Sequence, residues 1–383
     1  MLKPTTPIIT GIGVASPLGD AQSTCAAARA GLNRIKDLEL YSVQDDESGK
    51  QVPLKACALA GVTDGLGGLA RLSVLGSLAI SDLANNLDKN KNQLATIPTV
   101  VSLSNEVYWR VAHYRELEEF KDDLPYDLDE MLDGEIDKRL QNYQENLLNR
   151  IELLSGIKLN KNTAVFSTGD QANFVHVMHQ VEENFTSNNV ASCLVLNIDS
   201  LLEERSLENI LRLNLVKDTN NPIGIIPGEA AVALLVERYD HAIKRKAKML
   251  AAISECVYLH DDTNRFNDGP ITGHVLADAI DTAAASDENE SFAIDGMIAN
   301  LNGDIWRAKE WGAALTRLPE QIRELPVQFV AQYFGETGVA SAPLSVGLAA
   351  HRFSRKYAVH DNVLVWVSGD DGGKGAIRVS RIN

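Results

Sequence analysis

The residue types that usually carry covalent or metal chemistry are present in this chain but are not grouped. The four cysteines, Cys25, Cys57, Cys193 and Cys256, are widely spaced and form no CxxC pair. Neither a zinc knuckle nor a disulfide framework is expected from them. Cys25 and Cys193 sit among small or apolar residues and read as buried packing thiols. The histidines (His113, His176, His179, His241, His260, His274, His351 and His360) follow no metal-ligand spacing. His176 and His179 lie one helical turn apart without a ligand set around them, so no metal is expected. Asp370-Asp371 could hold a cation, but consecutive acids beside glycines read as a solvated turn. No glycine-rich stretch has the spacing of a dinucleotide or phosphate loop, so no cofactor is expected. Asp170, at the start of a helical stretch, reads as a helix cap, its oxygens accepting from exposed backbone N–H groups.

These groups must be held by alternating strands and helices. Ile8–Val14 is a short apolar run that ends at Ser16-Pro17-Leu18-Gly19, a strand followed by a turn. Helices are expected over Ala21–Ala30, stopping at Gly31, and over Leu69–Leu87. Strand-like runs follow at Thr99–Leu103, Asn162–Phe166, Ala191–Ile198, Ala230–Val236 and around Met249–Tyr258. Helices are expected over Gln171–Phe185 and Tyr239–Lys246. The last third repeats the grammar: helix Ile271–Ala285, strand Ile294–Ala299, helices Trp306–Leu315 and Ala340–Phe353, and strands Val363–Val367 and Gly375–Val379. This is the pattern of an α/β protein with buried sheets, and the similar order in its two halves suggests an internal duplication. Residues 105–155 differ, combining dense mixed charge with apolar residues at helical spacing (Tyr143, Leu147, Leu148, Ile151, Leu154). They read as a surface helical insertion, a cap over a pocket or part of a subunit interface. Trp306 and Trp311 read as packing residues.

A hydrophobic fraction of 45% and a charged fraction of 23% suit a chain with its own core and no covalent staple. The net charge of −16 argues against nucleic acid, which needs clustered Lys and Arg. No stretch is apolar enough to span a bilayer, and with no secretory h-region a cytoplasmic location is expected.

In order along the chain, five segments resemble the β-ketoacyl synthases, the condensing enzymes of fatty-acid and polyketide synthesis. They are Ile9-Thr10-Gly11-Ile12-Gly13 with Ser16-Pro17-Leu18-Gly19; Ser167-Thr168 before a helix; Pro227-Gly228-Glu229-Ala230-Ala231; Gly335-Glu336-Thr337-Gly338-Val339-Ala340-Ser341; and Ser368-Gly369-Asp370-Asp371-Gly372-Gly373. They cover nearly the whole chain except 105–155. The resemblance implies an α/β, thiolase-like, five-layered α-β-α-β-α fold with two pseudo-repeated halves, 1–240 and 241–383. It also implies a homodimer, or a heterodimer with an active ketosynthase, and an acyl carrier protein as a further partner. A carrier, being acidic, would need a local basic island, for which Arg34, Lys36, Lys244, Arg245 and Lys246 are candidates.

The family's nucleophile is a cysteine at the start of a buried helix, where the helix dipole lowers its pKa, and two histidines assist it. Here the corresponding stretch reads Ser167-Thr168-Gly169-Asp170-Gln171-Ala172-Asn173. Counting from Ser167-Thr168 places Asp170 at the nucleophile position. Counting back from His176 places Gln171 there, which also resembles the glutamine of chain-length-factor subunits. The first histidine falls at Asn300, or at Asn302 if the loop slips, and an asparagine amide can still donate to an oxyanion. The second falls at Glu336, which when ionised only accepts. The chain is therefore expected to be a non-condensing partner or an acyl- or carrier-binding subunit. The alternative is altered acyl-transfer or thioester-hydrolysis chemistry through Asp170 or Glu336, which requires their carboxyl groups to converge.

Overall fold

The structure, a computed structural model, describes residues 2–87, 91–125, 127–187, 190–267, 269–285, 294–359 and 361–382. His360 lies outside the described residues. The strands are β1 Pro7–Ala15, β2 Lys36–Gln44, β3 Gln51–Ala56, β4 Pro98–Ser104, β5 Asn160–Gly169, β6 Ser192–Ser200, β7 Glu229–Arg238, β8 Ala251–His260, β9 Gly296–Ala299, β10 Val327–Phe329, β11 Asn362–Ser368 and β12 Gly373–Ser380.

Ten of them form one sheet in the order β10-β9-β11-β12-β8-β1-β7-β6-β4-β5. Read outward from the central β1/β8 contact, the first half runs β1-β7-β6-β4-β5 and the second β8-β12-β11-β9-β10. In each half the first two contacts are antiparallel and the next two parallel. The two halves are thus built on one plan. Their central strands β1 and β8 pair through Ile8↔Ala252 and Ile9↔Ala251.

The helices Asn173–Ser187 and Ser341–Ser354 lie between the halves, sharing a core with strand residues from both. Helix 341–354 is apolar on nearly every face, as an element buried all round must be. Gly68–Asn86 and Leu128–Ser155 cover the outer face of the first half. His274–Ala284 and Ile305–Leu315 cover the second. This gives the expected five layers, α-β-α-β-α. Gly13 lets helix 68–86 approach β1 closely: a Cβ there would stand 2.1 Å from the Ala79 carbonyl oxygen.

The insertion at 105–155 is helical, as expected, but it is not simply a surface feature. Leu132, Ile136, Tyr143, Leu147, Leu148 and Ile151 bury one stripe of helix 128–155, while Leu154 is exposed. Tyr108, on the preceding helix Val107–Leu117, is buried too. Elements that were not foreseen include the β2–β3 hairpin, helix Glu204–Arg212, the short β10 and the short helices Glu320–Arg323 and Ala331–Phe334. The hairpin pairs only with itself and is mostly exposed, so it lacks the apolar run that marks a central strand.

Candidate functional site

Four connections converge between the halves: the turn after β5 (170–172), the loop after β9 (300–304), the turn at 335–338 and the turn between β11 and β12 (369–372). Each carries residues singled out from the sequence.

Asp170 caps the central helix, its Oδ1 accepting from the Ala172 N–H at 2.9 Å. Its Oδ2 reaches across to the other half and accepts from the Asp371 and Gly373 N–H groups at 3.2 and 2.9 Å. Gly369 makes room for this, since a Cβ there would stand 1.9 Å from Asp170 Oδ2. Gln171 is 3% exposed and has both ends of its amide occupied. Its Nε2 donates to Tyr108 Oη at 2.9 Å, and its Oε1 accepts from the Asp370 N–H at 3.0 Å.

Asn300 is turned to the backbone, donating to the Ser368 carbonyl at 2.9 Å and accepting from the Ser368 N–H at 3.0 Å. With both amide atoms engaged it holds β9 against β11. Asn302 instead donates to Glu336 Oε2 at 2.6 Å. Glu336 also accepts from Arg307 Nη1 at 2.6 Å and, through Oε1, from the Gly338 N–H at 3.0 Å.

At the centre stands Arg307, 1% exposed, on helix 305–315. It donates through Nε and Nη2 to Asp370 Oδ1 at 3.1 and 3.0 Å, and through Nη1 to Glu336. Arg265 pairs with Asp304 at 2.7 Å and with Asp370 at 3.1 Å. Tyr108 Oη donates to Asp370 Oδ2 at 2.7 Å. Burial alone would raise the Asp370 carboxyl, but Arg265 and Arg307 overcome it and hold the group well below the usual carboxylate range. Burial likewise opposes the Arg307 charge, and Asp370 and Glu336 more than offset it. Burial, then the Asp370 and Glu336 charges, pushes the Tyr108 phenol up, so it stays a donor.

Asp370 was expected in a solvated turn. At 2% exposure, bound by two arginines, it is instead the hub of a buried ion cluster. The reason is that Arg265 and Arg307 come from distant helix and loop positions that no local pattern links to the turn. Asp170 and Glu336 do not converge either. Asp170 binds only backbone N–H groups, Glu336 the Arg307 network, so the geometry required for a two-carboxylate acyl-transfer site is not assembled. A neighbouring buried pair, Lys374 with Glu310 at 2.7 Å, was also missed.

All four cysteines are free and buried. Burial pushes Cys25, Cys57 and Cys193 up to about 12. Cys256 packs beside the central helix, its thiol donating to the Val175 carbonyl at 3.3 Å, and burial raises it well above the ordinary thiol value. Val175 lies in the first turn of that helix, but there the thiol donates to a carbonyl and caps none of the free N–H groups. His176 and His179 make separate contacts, with Gln180 and Glu183. Trp311 stacks on Trp366 with ring centroids 4.5 Å apart, the packing role expected of it. Among the described residues no group of three or more His, Cys, Asp or Glu could hold a metal ion, and no helix is long and apolar enough to cross a membrane.

No family model and no curated protein matches the chain. Solved structures do. One is a chain of an assembly described as a type II PKS acyl-carrier protein in complex with its ketosynthase bound to the hexaketide, at TM-score 0.71 and 13% identity, covering 99% of this chain and 100% of that one. A β-ketoacyl synthase from Burkholderia phymatum STM815 aligns at 0.66 and 17%, covering 99% and 100%. The ishigamide ketosynthase/chain length factor aligns at 0.63 and 16%, again covering 99% and 100%. The chain has the ketosynthase fold. Within that ketosynthase fold, the start of the central helix presents the Gln171 amide and the Asp170 carboxylate, and the turns facing it present Glu336 and Asp370.

Proposed function

We propose that this chain is a non-condensing member of a ketosynthase-type assembly, serving as a partner or as an acyl- or carrier-binding subunit in fatty-acid or polyketide-type metabolism in the cytoplasm. The observation that carries this reading is the state of Gln171. A reacting thiol would have to be free to attack, whereas this side chain is buried with both amide ends bonded, and has no nucleophilic atom. The turns that would have to supply oxyanion donors carry an arginine-bridged carboxylate pair, Glu336 and Asp370, which supports this reading. Glu336 supports the same reading, because its carboxylate accepts every bond that side chain makes among the described residues.

Pairing with a second subunit is favoured by the edge strand β5. Among the described residues it pairs with β4 alone; from Val165 to Gly169 it pairs regularly and carries neither charge nor proline, and it exposes Val165. The opposite edge, β10, is only three residues long. A homodimer, or a heterodimer with an active ketosynthase, would cover β5. We place the boundary between the halves, 1–240 and 241–383, near residue 240, a reading supported by the end of β7 at Arg238 and the following helix Tyr239–Lys244.

The test is incubation with acyl-CoA and acyl-carrier donors followed by intact-protein mass spectrometry. The expected result is an unchanged mass and co-purification with a ketosynthase or an acyl carrier protein. A stoichiometric acyl adduct would refute the reading.

A further inference from the structure

Away from the Gln171 cluster, where β1 and β8 begin, the surface holds two adjoining clefts of about 640 and 580 Å³. They share Gln22, His351 and Arg355. The larger adds Arg245, Lys246 and Lys248, and the smaller adds Arg29. Among the described residues no carboxylate lines either cleft, in a chain with 52 acidic and 36 basic residues. Arg245 is committed to Glu237, as is Thr10. Among the described residues, Arg29, Lys246, Lys248 and Arg355 make no ion pair; Arg29 lies 4.4 Å over the Tyr357 ring, and Arg355 donates only to Gln22 at 3.3 Å. Lys246 holds left-handed backbone at φ 56°, a conformation unusual for a residue with a side chain. His351 sits between these groups, its Nδ1 3.1 Å from Tyr357 Oη and its Nε2 without a hydrogen-bond partner.

Unpaired cations gathered in a concavity on an acidic body repel one another unless an anion joins them. Arginine forks and lysine ammonium groups match phosphate oxygens. The wall formed by Ile12, Leu87 and Leu250 offers an apolar surface to whatever carries the phosphate. The size of the larger cleft lies within the range of about 300–1,000 Å³ usual for small-molecule sites. We propose that this paired cleft binds a small organic phosphate, a di- or polyphosphate attached to a compact organic group. An acidic protein surface would match the charge but has no use for the depth or the apolar wall. The reading is independent of whether Gln171 has replaced a nucleophile, because the cleft shares no residue with that cluster. Burial lowers the His351 pKa, and the Arg355 and Lys248 charges add to it, consistent with a positive field that an anion would relieve.

The test uses the full chain and isothermal titration calorimetry with ADP, with inorganic pyrophosphate and with a polyglutamate peptide. Lys248→Glu and Arg355→Glu serve as variants, both at exposed positions outside any ion pair, with circular dichroism as the check on folding. ADP is expected to bind more tightly than pyrophosphate, to weaken as salt is raised, and to lose about tenfold or more in affinity with each charge reversal. Loss of the ADP-induced shift of the His351 ring resonances in Arg355→Glu would locate the binding. No ADP binding at millimolar concentration, or binding undiminished in both variants, overturns the proposal. Equal affinity for ADP and pyrophosphate removes the organic group from it, and binding of polyglutamate alone replaces it with an acidic-protein surface.

Discussion

Two N–H groups of Arg307 converge on a single oxygen of Asp370, at 3.1 and 3.0 Å, while the third arm of the same guanidinium holds Glu336 at 2.6 Å. One buried cation thus fastens the turn at 335–338 to the turn between β11 and β12. In the ketosynthase fold these are the turns that face the central helix. An ion cluster here fixes their positions.

That arrangement makes Arg307→Met strongly destabilising, because it leaves Asp370 and Glu336 buried with one fewer cation. The expected loss is about 3–5 kcal/mol. Adding Asp370→Asn and Glu336→Gln to Arg307→Met removes the stranded charges and should recover a large part of the loss, since residues sharing one network do not act additively. Urea unfolding of the three proteins checks this. A triple variant less stable than the single one would contradict the pairing.

Asp370 also sets the direction of acid denaturation. Burial raises its carboxyl and the two arginines more than reverse that, so the folded value lies below the unfolded one. The stabilisation is present above the unfolded value of about 3.9 and is lost as pH falls through the folded one. Asp370→Asn should therefore flatten the acid limb of a stability–pH curve while lowering stability near neutrality.

Gln171→Glu should be tolerated in acid and harmful at neutral pH. The amide now donates to Tyr108 and stands 3.5 Å from Asp370 Oδ2. A carboxylate there would face another carboxylate in a buried site, so its folded pKa would rise above its unfolded value. Stability then falls as pH rises from about 4 to 7, with a penalty on the order of 3 kcal/mol at pH 7. Parallel unfolding curves for wild type and variant at every pH would show that the Gln171 amide is not held as described.

The layered fold is legible in the sequence because its strands are apolar runs such as Ala230–Val236, wholly buried in β7, and its central helix 341–354 is apolar on nearly every face. The β2–β3 hairpin was not, because its residues face solvent and alternate weakly. The same limit applies to the site. Gly169-Asp170-Gln171 marked the turn, and Glu336 was found from its glycine. Arg265, Arg307 and Tyr108 escaped because a charged or phenolic residue on an amphipathic helix or loop reads as solvated. A usable signal existed in Arg307 and Glu310, which lie three residues apart and both turn inward on helix 305–315. Consecutive acids beside glycines gave the opposite impression for Asp370, since no local rule links them to arginines about 60 and 100 residues away in the chain.

Asp199 gives a second titration of opposite sign. Burial, with smaller contributions from the Glu106 and Glu336 charges, outweighs the hydrogen bonds from Val339 and Ser200 and pushes its carboxyl up to about 7. The folded state therefore binds an extra proton between about pH 4 and 7, and stability declines across that window with a slope of at most about 1.4 kcal/mol per pH unit. Above it the penalty is constant. Asp199→Asn should remove this slope, measured as urea midpoints at pH 5, 6, 7 and 8.

The edge strand β5 supplies the last prediction, which bears on subunit pairing. Its free side offers a row of unpaired backbone groups with an apolar residue, Val165, 57% exposed at its middle. Lys161 and a register irregularity between Asn160 and Val165 break its first half, features that natural edges use against pairing, but from Val165 to Gly169 the strand is regular and carries neither charge nor proline. Two copies joined antiparallel along β5 would form an isologous contact that uses the same residues twice. The purified chain should therefore run at twice its own mass in size-exclusion chromatography with light scattering. Val165→Lys places two like charges near the symmetry axis and should shift it to the monomer, with the far-ultraviolet circular dichroism unchanged because Val165 contributes little to the core. A dimer that survives Val165→Lys and a second charge at Thr163 would place the contact on another face.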